Sequence, residues 1–265
     1  MKFTRFIGLR ILFAILLFAV VGTIAWQIFV PGREQRLLTL VIKDARASRA
    51  NDIVAREAAA VAIRRFGTNA LPVLMAWAGK KKDSAFAIRM RTVPKPLERY
   101  SRHLDANEYH AAAHWGFGVL GSAAKPAVPG LIALLNNPDP FIQDSAVLCL
   151  GAVGPAAEEA VPALLLLTKD QPAGIPNPNN AVVALGLIHA RSETVVPVLI
   201  GYLNGSSAKS GQQGWSIQAL TQFGPEAKAA VPSLVGLLGH PYDNAFATNA
   251  LKKIDPEAAA KAGIK

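Results

Sequence analysis

The sequence contains little cysteine, little charge and few aromatic residues. Cys149 is the one cysteine in 265 residues, which excludes an intramolecular disulfide framework and a zinc cluster held by several thiolates. Charged residues make up 17% of the chain and hydrophobic residues 51%, a balance that excludes an intrinsically disordered protein. The patterns G-x-x-x-x-G-K-[ST], G-x-S-x-G and H-E-x-x-H are also missing, so the sequence does not predict the nucleotide, hydrolase or zinc sites that they mark.

The basic residues that are present lie mostly in one part of the chain. The net charge is +10, but residues 1–107 hold 19 Lys and Arg against 7 Asp and Glu, whereas residues 108–265 hold 9 against 11. A pI of 9.9 is typical of nucleic-acid-binding proteins. Here the excess of basic residues lies in the N-terminal part alone, so its cause has to be sought in that part of the chain.

A long apolar run near the N-terminus predicts a membrane anchor. Residues 11–30, ILFAILLFAVVGTIAWQIFV, contain no charged side chain, and Pro31-Gly32 end the run. Twenty residues of α-helix extend about 30 Å, the hydrocarbon thickness of a bilayer. We therefore predict a basic tail at 1–10 and a retained transmembrane helix at 11–30. A cleaved signal peptide is the main alternative, although its apolar region is normally shorter; the missing polar face argues against a buried core helix.

Basic residues flank this span on both sides, so the positive-inside rule gives no clear orientation. A short basic N-terminal tail normally stays cytoplasmic. We therefore expect a single-pass protein of the bacterial inner membrane, with the C-terminal body outside the cytoplasm.

The rest of the chain repeats itself. Four segments align on a Val-Pro pair, with prolines 33, 35 and 35 residues apart. The segments are Ala127-Val128-Pro129, Ala160-Val161-Pro162, Val195-Val196-Pro197 and Ala230-Val231-Pro232. Eight residues before the prolines stand Gly121, Gly154, His189 and Gly224. A period of this length is typical of arrays of small structural repeats.

Helical geometry explains this repeat. Before the glycine column, small and large apolar residues recur at i, i+3, i+4 and i+7, as in Ala146, Cys149, Leu150 and Val153, which gives one apolar helix face. The glycine suits a helix end, because left-handed backbone costs glycine little. The proline suits the first turn of a second helix, where its missing N–H needs no partner. We predict an all-α fold of helix pairs.

The pattern G-x-x-A-x-x-A-V-P-x-L-x-x-L-L, seen at 121–135 and 224–238, resembles the HEAT repeat, and in particular the short bacterial HEAT repeats of the phycobilisome-lyase-like group. The run 66–74 (FGTNALPVL) resembles the first repeat of membrane-anchored bacterial HEAT proteins. The resemblance implies an α-solenoid of the HEAT/armadillo type over 52–262, with five repeats and a partial one at the end. His189 in the glycine column and Thr168 in a leucine column depart from the pattern.

Two segments lie outside the repeat. Residues 33–50 predict an amphipathic helix that caps the array. Residues 79–107 form a basic insertion, which is either a solvated loop or an element that meets anionic lipid or an acidic partner. The basic residues assigned to a membrane surface are Lys80, Lys81, Lys82, Arg89 and Arg91.

The resemblance also implies a binding surface, because the second helices of HEAT arrays usually line the concave face. Its outward positions here are small or uncharged for the most part, which would admit a helix or an extended peptide. The candidate partner-binding residues are Ala133, Asn136, Asn137, Leu166, Lys169, Gly201, Asn204, Gly236 and His240. Nucleic acid is not expected on this surface, since it lacks a row of Lys and Arg.

Few residues of the sequence are candidates for metal binding or catalysis. His110 and His114 are four apart, as in helical metal pairs, but no third ligand is near them in sequence, and packing is the competing interpretation. Cys149 occupies a small-residue column and is expected to be an inert core thiol. Deoxyhypusine hydroxylases, built of similar repeats, bind iron through His-Glu dipeptides, and this chain has none.

The sequence thus predicts a membrane-anchored scaffold that binds a protein or peptide, without catalysis or a cofactor. Two alternatives stay open: a HEAT-like enzyme, either a lyase or a metal-dependent oxidoreductase, and nucleic-acid association through 79–107.

Overall fold

The computed structural model describes the chain in seven stretches. They are residues 32, 36–37, 39–40, 53–81, 106–168, 177–205 and 213–264. All regular elements in these stretches are helical, and no strand occurs in them, which confirms the all-α class for the described residues. The basic tail and the predicted anchor at 11–30 lie outside the described residues, as does most of the insertion at 79–107.

Contacts divide the chain into residues 1–59 and residues 60–265. In the first unit, the N–H of Arg36 donates to the carbonyl of Gly32 at 3.1 Å, and Leu37 is buried. Residues 36, 37, 39 and 40 are helical. They agree with the helix predicted over 33–50, whose other residues lie outside the described part.

Twelve helices of the described residues are labelled here in chain order. They are α1 (Ile53–Phe66), α2 (Leu71–Ala78), α3 (Ala106–Leu120), α4 (Val128–Leu134), α5 (Pro140–Val153), α6 (Val161–Leu167), α7 (Pro178–Ile188), α8 (Ser192–Asn204), α9 (Gln213–Phe223), α10 (Val231–Gly236), α11 (Asn244–Ile254) and α12 (Pro256–Lys261). Short 3-10 segments join four of the pairs: Gly67–Ala70, Gly121–Ala127, Gly154–Ala160 and Gly224–Ala230. We call the odd-numbered helices first helices and the even-numbered helices second helices.

The glycine column forms the turns between first and second helices. Gly67, Gly121, Gly154 and Gly224 all have positive φ, between 50° and 72°. Residues that have a Cβ rarely adopt a positive φ, so glycine is the residue expected at these positions. At these four turns, the proline of the Leu-Pro or Val-Pro pair lies in the first turn of the second helix. The prediction for these turns is confirmed.

The α7–α8 turn differs. His189 replaces the glycine and still adopts the left-handed conformation, with φ 49° and ψ 48°, and Arg191 does the same. No 3-10 segment follows, and α8 begins five residues before Pro197. The expectation that this proline opens the second helix is therefore wrong: Pro197 lies inside α8. The His189 ring packs edge-on against Phe223 at 4.9 Å between centroids, which helps to hold the turn.

First helices pack on one another in chain order, α3 on α5, α5 on α7, α7 on α9 and α9 on α11. Small residues allow this close approach. A Cβ added to Gly151 would lie 3.1 Å from the Cα of Ala184, and one added to Gly186 would lie 2.7 Å from the Cα of Ala219. Larger apolar residues of the same helices fill the core, among them Leu150, Leu185, Ile188 and Leu220.

Second helices lie beside the first. Each packs on the first helix of the next pair, as α2 does on α3 and α4 on α5. Second helices also meet each other: a Cβ at Gly130 in α4 would lie 2.9 Å from the Cε of Met75 in α2, and one at Gly79 would lie 3.7 Å from Leu134. α8 packs on α10. Their leucines two residues after each proline are buried at Leu74, Leu131, Leu164, Leu199 and Leu234.

Two described stretches are long and apolar enough to cross a membrane, judged by length and composition alone: Ala106–Leu134 and Pro140–Leu167. Core helices pass the same test. Each stretch is two helices interrupted by a glycine at positive φ, Gly121 or Gly154.

Candidate protein-binding face

Ten exposed positions of the second helices α4, α6, α8 and α10 carry an apolar side chain or none. We call them the second-helix face: Pro129 and Ala133 on α4, Pro162 and Leu166 on α6, Pro197, Val198 and Gly201 on α8, and Pro232, Val235 and Gly236 on α10. Each helix contributes a proline and the residue four positions later. Because i and i+4 share one side of a helix, the proline and the later residue lie on the same side of their helix.

This face is open rather than covered. Leu166 leaves 62% of its surface exposed, and Val198 and Val235 are also exposed. A Cβ built on Gly201 or Gly236 meets no atom within 4 Å. Contiguous patches of exposed apolar residues are typical of sites where another molecule binds, which makes these residues candidates for such a site.

The face carries no charge. α4, α6 and α10 contain no charged residue, and the single one in α8, Glu193, lies in its first turn. Charged residues stand just before the second helices instead, at Lys125, Glu158 and Lys228. Glu158 accepts a hydrogen bond from Nε of Arg191 at 3.1 Å, which links two neighbouring turns. A charged partner group would lose water here without gaining a counter-ion, so the face favours an uncharged surface.

The residues predicted for partner binding are accessible where the structure describes them. Ala133, Asn136, Leu166, Gly201, Asn204 and Gly236 are exposed, and Asn137 and His240 are half-buried. Lys169 lies outside the described residues. Val198 and Val235 were not predicted from the sequence. Nothing in their residue type marks them as exposed, since valine fits a core position equally well.

Three of the predicted residues also hold the fold together. The Asn137 side chain accepts a hydrogen bond from the N–H of Asp139 at 2.9 Å. Asn204 donates from Nδ2 to Oγ of Ser233 at 3.0 Å, which joins α8 to α10. His240 contacts the buried carboxylate of Asp243, with Nδ1 2.8 Å from Oδ2. Mutations at these three positions would therefore mix binding and stability effects.

His110 and His114 lie on α3 but have different surroundings. Nε2 of His110 is 2.8 Å from the carbonyl oxygen of Lys80. Since a carbonyl only accepts, Nε2 must carry the proton. His114 is exposed, whereas Val147, Val182 and Ile217 in its column are buried, so packing in that column does not explain it. Partial burial lowers the pKa of His114. Within the described stretches, no three His, Cys, Asp or Glu side chains are grouped as metal ligands.

Cys149 is fully buried on α5. Burial raises the pKa of its thiol to about 12, because the thiolate would lose its hydration. The reactive thiolate form is therefore scarce at neutral pH, as expected for a core cysteine.

Only part of the predicted basic surface is described. Lys80 and Lys81 follow α2 and are exposed. Lys82, Arg89 and Arg91 lie outside the described residues. The structure adds aromatic neighbours that the sequence did not predict: Nζ of Lys80 lies 5.4 Å from the ring centroid of Tyr109.

Comparisons with known proteins give no family assignment. No protein-family model matches the chain, and a search of the curated proteins finds no significant match.

Proposed function

We propose that this protein is a membrane-anchored α-solenoid of HEAT-type helix pairs that binds another protein through the second-helix face. The observation that carries the proposal is the exposed, uncharged surface repeated on α4, α6, α8 and α10. The order of packing, in which each first helix from α3 to α9 contacts the next, supports a solenoid architecture. The glycine turns and their 33–35-residue period support the HEAT assignment.

The membrane part of the proposal depends on the apolar run at 11–30. Twenty uncharged residues behind a basic tail support a retained anchor. Alkaline extraction of membranes tests it: an anchored chain stays in the pellet. Intact-mass measurement of the same material distinguishes an anchor from a signal peptide, because cleavage would remove the N-terminal residues.

Bulky substitutions test the binding face. Gly201→Trp with Gly236→Trp places two indoles where an added Cβ meets no neighbouring atom, so the fold should be kept. The matched control is Gln218→Trp with Gln222→Trp, which places two indoles at exposed positions of the first helix α9. Circular dichroism confirms that both variants fold.

Proximity labelling from the tagged full chain then compares the neighbours of the two variants with those of the wild type. We expect the glycine variant to lose specific neighbours and the glutamine variant to keep them. Equal loss or equal retention in both variants would contradict binding through this face. A labelling pattern confined to cytoplasmic proteins would contradict the proposed orientation.

A further inference from the structure

Lys80 and Lys81 form an exposed basic corner at the end of α2. Residues 60–81 contain four basic and no acidic residues, and within the described part neither lysine forms an ion pair. Two lysines that are neighbours in the sequence and form no ion pair there would both be stabilised by a nearby anion.

Two contacts constrain the position of Lys80. Its carbonyl accepts a hydrogen bond from Nε2 of His110 at 2.8 Å, which fixes the backbone after α2. Its ammonium group lies 5.4 Å from the Tyr109 ring centroid, within the range of a cation–π contact. The Tyr109 ring in turn lies 5.9 Å from the ring of buried Trp77. A group held this way loses less conformational entropy when it binds.

Lysine at the end of a helix has an ordinary explanation, since cations stabilise the negative end of the helix dipole. The same explanation applies to Lys252 and Lys253, an exposed pair in the last turn of α11. No cation–π contact is found for that pair within the described residues, and no third lysine follows it, as Lys82 follows Lys81. Comparison of Lys80–Lys81 with Lys252–Lys253 therefore distinguishes a role at a helix end, which both pairs could have, from a binding role, which only the first pair would have.

We infer that the Lys80–Lys81 corner docks on the anionic headgroups of a lipid bilayer. Charge complementarity supports this partner: the corner is basic, and the exposed residues of α2, Pro72 and Ala76, are uncharged and small. Each lysine near an anionic surface contributes about 1 kcal/mol. This inference does not rest on the second-helix face, so failure of that face in the tryptophan experiment leaves it intact.

The test uses the full chain with a fluorescent reporter beside the corner. Ala76 is exposed and lies one turn before Lys80, so Ala76→Cys can carry an environment-sensitive fluorophore. Native Cys149 stays unlabelled because it is buried with a raised pKa. The labelled chain is mixed with phosphatidylcholine vesicles with or without phosphatidylglycerol, and the emission spectrum is recorded.

We expect a blue shift with phosphatidylglycerol that is lost when salt rises from about 0.1 M to about 1 M, because the Debye length falls from about 10 Å to about 3 Å. Lys80→Gln with Lys81→Gln should weaken the docking equilibrium about 30-fold. Lys252→Gln with Lys253→Gln should change it less than about twofold, since that pair makes no such contact.

Three results would overturn the inference. One is the same emission with both vesicle compositions. Another is equal weakening by the two glutamine pairs, which would mean that only net charge matters. The third is a blue shift with inorganic phosphate alone, which would mean that the corner binds free anions rather than a bilayer surface.

Discussion

Glycines on first and on second helices serve opposite purposes at four positions of the structure. On the first helices, Gly151 and Gly186 allow the backbone of the next helix to approach, and an added Cβ would overlap with it. On the second helices, Gly201 and Gly236 face open space. At these four positions, the same residue type therefore marks a tight internal contact on the first helices and an unoccupied surface on the second helices.

The largest expected effect compares a buried leucine with an exposed one. Leu185→Ala on α7 removes a fully buried side chain and should lower the free energy of unfolding by about 2–5 kcal/mol. Leu166→Ala on α6 removes a largely exposed one and should change it by less than about 0.5 kcal/mol. Urea denaturation of both variants measures the difference. A large loss at Leu166 would mean that this position belongs to a core.

The glycines give the second comparison. Gly186→Ala places a Cβ 2.7 Å from the Cα of Ala219 and should cost about 1–3 kcal/mol, because two backbones would have to separate. Gly201→Ala meets no atom within 4 Å and should raise stability by up to about 1 kcal/mol, since alanine is the better helix former. Thermal unfolding of the two variants should shift in opposite directions. Shifts of the same sign would contradict the contrast between the layers.

The turns that join the layers sharpen the comparison further. Gly154 has φ 72° and ψ −144°, a region almost closed to side chains, so Gly154→Ala should cost about 1–3 kcal/mol. Gly224, with φ 51°, has the same left-handed φ as His189, and Gly224→Ala should cost about 1 kcal/mol. Denaturant midpoints of the two variants check the order. Equal costs would mean that the turn at Gly154 relaxes without strain.

Alkylation of Cys149 probes the interior of the first-helix layer. With a pKa of about 12 in the folded state, above its ordinary value, the thiol should react with iodoacetamide only when the chain unfolds. Below the ordinary pKa the thiol is protonated in both states, and stability should fall as the pH rises above it, because only the unfolded state then ionises readily. Mass spectrometry of native and urea-treated protein gives the readout. Rapid modification of native protein would contradict tight packing around α5.

His114 gives the smallest effect. Its pKa is lowered in the folded state by partial burial, so the unfolded state binds the proton more readily. Stability should therefore be unaffected at high pH and decrease slightly as the pH falls below the ordinary histidine pKa. His114→Gln should remove this component from the pH dependence of unfolding. An unchanged pH profile in the variant would contradict the assignment.

The sequence predicted the all-α class and most of the turns between the described helices, but less of the surface. Glycine and proline impose strong backbone rules, so the turns at Gly121, Gly154 and Gly224 could be placed from spacing alone. The turn at His189 could not, because a side chain in the left-handed region depends on tertiary contacts such as the one with Phe223. Pro197 lies inside α8 for the same reason, since the turn at His189 lets the helix begin earlier, at Ser192.

The residues of the second-helix face were also predicted only in part from the sequence. Helical periodicity identified Ala133, Leu166, Gly201 and Gly236 as outward positions, and all four are exposed. Periodicity does not distinguish a half-buried valine from an exposed one, so Val235 was missed. The contact of Lys80 with Tyr109 joins residues 29 positions apart and becomes visible only when α2 packs on α3.

Site-specific photo-crosslinking tests the central claim most directly. A photoreactive residue is introduced at Leu166 on the second-helix face or at Gln218 on the first helix α9 of the full chain, and irradiated cells are examined for covalent adducts. The proposed function predicts a discrete adduct with another protein from Leu166 and none from Gln218. Adducts from Gln218 alone, or the same adducts from both positions, would contradict binding through the second-helix face.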